Sequence, residues 1–133
     1  WYHIAVVDNG SEMTIYIDGN AEISVDSSSS KAINLGFYYN SPFAIGMSAA
    51  DVRYFNGYVS EARVWKRALT PTELKNNQCY VDPATAEGLI GYWRLDQVED
   101  DGRTFTDLSG NGYHGKASSN PIWTGEIKCP VVD

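Results

Sequence analysis

The sequence has few cysteines, few basic residues and no long apolar run. Its 133 residues hold 17 acidic against 10 basic side chains, for a net charge of −7. This balance argues against nucleic acid as a partner, since phosphate binding needs a clustered basic surface. The small basic group of Arg63, Lys66 and Arg67 is interpreted as a solvated edge. No apolar stretch approaches the roughly 20 residues that span a bilayer, so no transmembrane segment is predicted.

The two cysteines, Cys79 and Cys129, lie 50 residues apart and lack the close spacing of zinc ligands. Two buried free thiols in a cytosolic protein are one interpretation. An acidic, tyrosine-rich chain with Ser, Asn and Gly loops favours export, where the two thiols would join. We therefore predict an extracytoplasmic location, in the periplasm or on the outer cell surface, and a Cys79–Cys129 disulfide that stabilises by ~3–4 kcal/mol.

Long helical periodicity is also missing, whereas 17 aromatic residues and 12 glycines are present. This composition favours an all-β sandwich or barrel. Two hairpins are predicted from three alternating segments, residues 4–7, 13–17 and 21–25, which are separated by Asp8–Gly10 and by the pair Asp18 and Gly19. Further strands are predicted at residues 33–37, 43–46, 58–64, 89–95, 104–106 and 122–129, with a loop at residues 48–54.

One short helix is predicted near residues 71–77. The Thr70 hydroxyl can cap it, Pro71 suits its first position, and Glu73 completes a Thr-x-x-Glu capping box. Leu69 and Leu74 are expected to pin this helix to the sheet. Of the tryptophans, Trp65, Trp93 and Trp123 are expected to fill the core or anchor strands.

Three pairs of motifs carry a family resemblance. They are WYHIAVV (residues 1–7) with IYIDG (15–19), FNGYVSEARVW (55–65) with RALT (67–70), and GYWRLD (91–96) with DLSGNGYHG (107–115). Together they resemble the laminin-G-like jelly-roll domain of the concanavalin A-like lectin/glucanase superfamily. The resemblance implies an all-β, antiparallel β-sandwich.

The order of these motifs departs from the usual one, because the segment that normally opens such a domain comes last. We therefore expect residues 89–129 to fold back onto a single domain of residues 1–133. Some upstream strands are expected to be missing before Trp1, so the chain is interpreted as a fragment. The arrangement resembles the C-terminal module of bacterial cell-surface lipoproteins linked to glycan use.

Sugar recognition is expected at exposed aromatic side chains beside amides, since aromatic faces stack on pyranose rings. The predicted ligand-binding residues are Tyr38, Tyr39, Asn40 and Tyr54. An ordinary surface or interface role for these tyrosines is the alternative.

A structural Ca²⁺ is expected at the loop of Asp107, Ser109 and Asn111, which can supply several oxygen ligands. The resemblance places a partner acid at Ser60, so the neighbouring Glu61 is taken as the fourth ligand. The alternative is a tight turn in which Asp107 accepts hydrogen bonds from its own backbone.

The Glu-x-Asp-x-Glu motif of retaining glucanases is absent. The acidic turn of Glu99, Asp100 and Asp101 is expected to be solvated, with ordinary pKa values. We therefore predict no enzyme but a non-catalytic, carbohydrate-binding module. The alternative is a structural or protein-interaction module, which contacts other domains or another copy through an exposed sheet edge. A hydrolase fragment would need two close, buried carboxylates.

Overall fold

The computed structural model describes residues 1–28, 43–48 and 53–118, which form antiparallel β-strands and one short helix. In chain order these elements are β1 (Ile4–Asp8), β2 (Glu12–Ile17), β3 (Asn20–Asp26), β4 (Met47–Ser48), β5 (Arg53–Tyr54), β6 (Ala62–Trp65), α1 (Pro71–Asn76), β7 (Leu89–Trp93), β8 (Thr104–Phe105) and β9 (Gly115–Lys116). Within these residues no helix has the length and apolar character to cross a membrane.

The three N-terminal strands form a meander in the order β1-β2-β3. Asp18 and Gly19 connect β2 to β3 and take positive φ angles of 49° and 75°, as a primed two-residue turn requires. Thr14 in the central strand is buried and its hydroxyl lies 2.8 Å from that of Ser24. The predicted hairpins are confirmed, and each strand matches its expected bounds to within one residue.

The strand predicted over residues 58–64 is wrong at its start, because β6 begins at Ala62. Glu61 has a φ of 56°, and its N–H donates to the carbonyl of Arg94 at 3.1 Å. A left-handed residue breaks the extended run. The alternation of the side chains therefore does not continue through Tyr58–Glu61.

Helix α1 has the predicted capping box. The Glu73 N–H donates to the Thr70 hydroxyl at 3.2 Å, and the Glu73 carboxylate accepts from the Thr70 N–H at 2.8 Å. Pro71 occupies the first turn. Leu69 and Leu74 are buried, as anchoring of this helix requires.

Strand β7 lies at the centre of the described core and pairs with β6, with Ala62 opposite Trp93 and Val64 opposite Gly91. Gly91 is required there because the Trp93 ring occupies the space of any added Cβ. The strand ends two residues earlier than predicted, since Leu95 takes a φ of 62°. The buried apolar side chains are those of Leu69, Leu74, Val81, Leu89, Tyr92 and Trp93.

The segment around residues 43–54 differs from the prediction. The expected strand at 43–46 is absent, and Phe43 instead stacks on Trp93 with ring centroids 5.7 Å apart. Where a loop was expected, β4 pairs with β5. Gly46, with a φ of 75°, separates Phe43 from β4. The predicted strands at 33–37 and 122–129, together with Trp123, lie outside the described residues.

Candidate functional site

A shallow groove of ≈440 Å³ lies along the short β4–β5 ladder. Met47 is paired with Tyr54, and the Phe55 N–H donates to the Gly46 carbonyl at 2.8 Å. These pairings hold the extended backbone on both sides of the groove. Its described lining residues are Gly46, Met47, Arg53, Tyr54, Phe55 and Val59.

The aromatic side chains of this groove are open to solvent. Tyr54 is 69% exposed and Phe55 is 61% exposed. The Phe55 ring lies over Gly57, where an added Cβ would come within 2.7 Å of Cε1. Gly57 therefore leaves room for this ring position. The result is an apolar platform with a phenol hydroxyl and a guanidinium beside it, a suitable surface for stacking a sugar ring.

The predicted ligand-binding residues are only partly placed by the structure. Tyr54 lies in the groove, whereas Tyr38, Tyr39 and Asn40 lie outside the described residues. Phe55 and Arg53 were missed by the sequence reasoning. The signal that could have found Phe55 is its position next to Tyr54 in a segment rich in aromatic residues.

Asp107 is buried, 4% exposed, and its carboxylate accepts four hydrogen bonds. One oxygen accepts from the backbone N–H groups of Tyr92 and Ser109, both at 2.9 Å. The other accepts from the Ser109 hydroxyl at 2.8 Å and the Tyr113 N–H at 3.0 Å. These bonds join the 107–115 loop to β7.

The pKa of Asp107 is set by two opposing effects. Burial raises it, but the hydrogen bonds from Ser109, Tyr92 and Tyr113 together outweigh burial and bring the pKa below its ordinary value. Each of these bonds favours the ionised carboxylate. Asp107 is therefore held as an anion by its own surroundings.

Glu61 lies at the other end of the Tyr92 side chain. Its carboxylate accepts from the Tyr92 hydroxyl and from Arg63, both at 2.6 Å, and Arg94 lies 3.4 Å away. Arg63 also donates to the carbonyls of Asn77 and Cys79. Burial and the Glu61 hydrogen bond raise the pKa of Tyr92 to about 12.

Arg63 corrects the interpretation of the basic group as a solvated edge. Its side chain is 6% exposed, and its guanidinium lies 5.0 Å from the centre of the Tyr92 ring. Lys66 and Arg67 are exposed as expected, with Arg67 paired to Glu73 at 2.6 Å. Sequence could not distinguish them, because the carbonyls that accept from Arg63 come from a later segment.

The acidic turn carries one further correction. Asp101 accepts from the Thr104 hydroxyl at 2.6 Å and from the N–H groups of Arg103 and Thr104. The hydroxyl bond and the two N–H bonds lower the pKa of Asp101 to about 2, so its expected ordinary pKa is wrong. Glu99 accepts from Thr106. Glu99 and Asp100 line a cavity of ≈220 Å³, yet no three potential metal-ligating His, Cys, Asp or Glu residues group together anywhere in the described ranges.

A family model described as the concanavalin A-like lectin/glucanases superfamily, in its laminin G form, matches residues 1–75. The chain belongs to this superfamily. The fold class expected from the sequence, an all-β antiparallel sandwich with one short helix, is confirmed by this match and by the observed strands. No curated protein matches the chain.

Two solved structures resemble this concanavalin A-like chain. A protein of Bacteroides ovatus, proposed to bind carbohydrate, shares 27% identity with a TM-score of 0.62. The match covers 86% of this chain but 34% of that protein, so the chain spans about a third of its length. An S-layer domain-containing protein of Clostridium thermocellum shares 30% identity over 57% of this chain and 38% of that one, with a TM-score of 0.46.

The calcium ligands expected for a concanavalin A-like domain do not all come together. Glu61 and Asp107 contact opposite ends of Tyr92, and the four bonds to Asp107 use its acceptor sites. Ser109 and Asn111 do lie beside Asp107, where the Asn111 amide donates to the Ile90 carbonyl at 3.2 Å. This donor set therefore fits a tight turn better than a six- to eight-oxygen calcium site. Calcium binding itself stays a prediction.

The disulfide also stays a prediction. Cys79 follows α1 and is not a free thiol. Cys129 lies outside the described residues. The described half of the predicted pair is thus compatible with a bond that would tie the tail to the end of the helix.

Proposed function

We propose that this chain is a non-catalytic, carbohydrate-binding module of an exported bacterial surface protein, and that the sugar stacks in the groove of Tyr54 and Phe55. The observation that carries the proposal is the pair of exposed aromatic rings in a groove that is otherwise apolar except for Arg53. Membership of a lectin-containing superfamily and the carbohydrate-binding role proposed for the Bacteroides protein support it.

The non-catalytic part of the proposal is supported by the partners of the acidic side chains. A glycosidase needs two carboxyl groups facing one bond, one of them able to donate a proton. Asp107 and Glu61 instead accept hydrogen bonds from the fold, and Asp101 caps a turn. Although burial raises the pKa of Asp107, its hydrogen bonds, like those to Asp101, lower the pKa and favour the ionised carboxylate over the proton donor.

The proposal is tested by titration calorimetry of the chain against a panel of soluble glycans. The variants Tyr54→Ala and Phe55→Ala should each bind about tenfold more weakly than the unaltered chain, because each loses one stacking face. Tyr80→Ala is the matched control, since Tyr80 is 62% exposed and lies outside the groove lining. Absence of binding to every glycan at millimolar concentration, or equal weakening by Tyr80→Ala, would contradict the proposal.

A protein-interaction module is the second candidate, and one observation favours it. The outer face of the β1-β2-β3 sheet carries a row of exposed aliphatic side chains. Such a face is unusual for a module that contacts sugar alone.

A further inference from the structure

His3 lies just before β1 and is fixed to the turn between β2 and β3. The His3 N–H donates to the Asp18 carboxylate, and the Asp18 N–H donates to the His3 carbonyl, both at 2.8 Å. Gly19, the next residue of the turn, is buried, and the side chain of Lys75 in α1 occupies the space of any Cβ added there. His3 is therefore attached to a turn that packs against α1.

Two buried side-chain nitrogen atoms in the described part of the chain have no hydrogen-bond partner. They are Nδ1 of His3 and Nε of Arg63. The Nε of an arginine always carries a proton and can only donate, whereas Nδ1 of a neutral histidine is an acceptor when the ring proton is on Nε2. The two atoms therefore complement each other as donor and acceptor only while His3 is neutral.

The charges around His3 also oppose its protonation. Burial lowers the pKa of His3 below its ordinary value, and the positive charge of Arg63 lowers it further, while the Asp18 carboxylate offsets part of this effect. Arg63 is held in place by Glu61 and by the carbonyls of Asn77 and Cys79, and its guanidinium stays charged. A protonated His3 would add a second positive charge and a buried N–H without an acceptor.

We propose that His3 is a pH-sensitive switch, which keeps the segment before β1 in place while it is neutral and releases this segment when it is protonated in mild acid. Trp1 and Tyr2 are exposed, and the pairing of β1 with β2 begins at Ile4 and Ile17. The segment of residues 1–3 can therefore leave by breaking its two bonds to Asp18, without loss of the β1–β2 ladder. Local opening of this kind needs far less free energy than global unfolding.

The direction of the pH dependence follows from the lowered pKa of His3. The attachment of the segment is fully stable above the unfolded pKa of about 6.5, and it is lost as the pH falls from there through the folded pKa. Aspartate and glutamate ordinarily titrate near pH 4, so the interval between about pH 7 and pH 5 reports on histidine. The chain has one other histidine, His114.

Titration of the imidazole signals of the unaltered chain by NMR tests the proposal. His3 should carry its proton on Nε2 at neutral pH and titrate with a midpoint below 6.5. In Arg63→Met the midpoint should move up, because the neighbouring positive charge is removed. A His3 midpoint at or above 6.5 would overturn the proposal, as would a midpoint that a folded Arg63→Met leaves unchanged. Circular dichroism checks the folding of this variant, and the unaltered chain decides if the variant does not fold.

Amide hydrogen exchange at about pH 7 and about pH 5 measures the release itself. After correction for the intrinsic pH dependence of exchange, the protection of the His3 and Asp18 N–H groups should fall in acid. The Tyr92 N–H, which donates to Asp107, should keep its protection.

His3→Gln should abolish this fall in protection at Asp18, because glutamine gains no proton in this interval. His114→Gln is the matched control and should retain the fall, since it removes the other imidazole and leaves His3 unchanged. Equal protection of Asp18 at both pH values, or a fall that persists in His3→Gln, would contradict the proposal. An equal loss of protection at Tyr92 would also contradict it, because the whole fold would then be opening.

Discussion

Among single residues, Asp107 stands out because both oxygens of its carboxylate accept two hydrogen bonds each. Its four acceptor sites face three backbone N–H groups and one hydroxyl, all within 3.0 Å. A carboxylate is suited to this position because it accepts at both oxygens and donates nothing. In the sequence Asp107 suggests a metal ligand. In the structure its carboxylate hydrogen-bonds both to the 107–115 loop and to Tyr92 of β7, and so holds the two together.

Asp107→Asn should lower the free energy of unfolding by about 1–3 kcal/mol at pH 7, because the amide nitrogen would face N–H or O–H donors in a buried position. Asp100→Asn, at an exposed position of the acidic turn, is the control and should have little effect. Urea denaturation of the two variants measures the difference. Equal stability of Asp107→Asn and the unaltered chain would contradict the assigned role.

The stabilisation by Asp107 should also depend on pH. Its folded pKa lies below the ordinary value, so its contribution is complete above the unfolded pKa of about 3.9 and is lost as the pH falls through the folded pKa. The difference in free energy of unfolding between the unaltered chain and Asp107→Asn should therefore become smaller in acid.

The predicted calcium ion is tested by thermal melts of the unaltered chain with added calcium and with a chelator. If the ion binds, calcium should raise the melting temperature.

Among the secondary-structure elements, helix α1 is the one most clearly specified by its local sequence. Six residues are too few for a stable isolated helix, so its cap, the buried Leu74 and the buried Leu69 that precedes the cap hold it in place. The Arg67 hydrogen bond, followed by those from Thr70, lowers the pKa of Glu73 to about 2. Glu73 of the capping box therefore stays ionised until the pH falls to about 2.

Thr70→Ala should destabilise the chain by about 1 kcal/mol, because the Glu73 N–H loses its acceptor. Thr72→Ala is the matched control, since Thr72 is exposed within the helix and alanine favours helix there. Thermal melts at pH 7 measure both. A larger loss for Thr72→Ala than for Thr70→Ala would refute the capping role.

The elements that sequence predicted well are those determined by neighbours in the chain. The Asp18–Gly19 turn and the box from Thr70 to Glu73 need residues at most three positions apart, so their patterns are visible in the sequence. The start of β6 was missed because Glu61 turns its backbone to reach Tyr92 and Arg94, both about 30 residues later. Of the groove residues, the sequence predicted Tyr54 alone. The β4–β5 pairing brings Met47 beside Tyr54, but these strands have two residues each and so show little periodicity in the sequence.

In the molecule as a whole, Arg63 joins segments that are distant in sequence. From β6 it contacts the carbonyls after α1 and the Tyr92 ring of β7, while Glu61 balances its charge. Burying this pair is favourable only if the charges are paired and well hydrogen-bonded, and among the described residues Arg63 Nε is left without a hydrogen-bond partner. Removing one member should therefore affect the packing of the helix and both strands together.

Arg63→Met should lower the free energy of unfolding by about 3–5 kcal/mol, because Glu61 would remain mostly buried without its nearest cation. The double variant with Glu61→Gln should lose less than the sum of the two single variants, and a double-mutant cycle in urea measures this coupling. Lys66→Met is the control at an exposed neighbouring position. If Arg63→Met were as stable as Lys66→Met, the contacts of Arg63 with the carbonyls after α1 and with Tyr92 would not stabilise the fold as proposed.

The packing of Trp93 has an optical consequence for any study of this chain. Trp93 as a residue is 6% exposed, its Nε1–H donates to the Tyr113 carbonyl at 2.8 Å, and Phe43 stacks on its ring. Its contribution to the emission of the four tryptophans therefore reports on the integrity of β7, whereas the described residues that line the groove include no tryptophan. A ligand that stacks on Tyr54 can bind without changing that emission, and Tyr54→Trp would place a fluorophore where the ligand is expected.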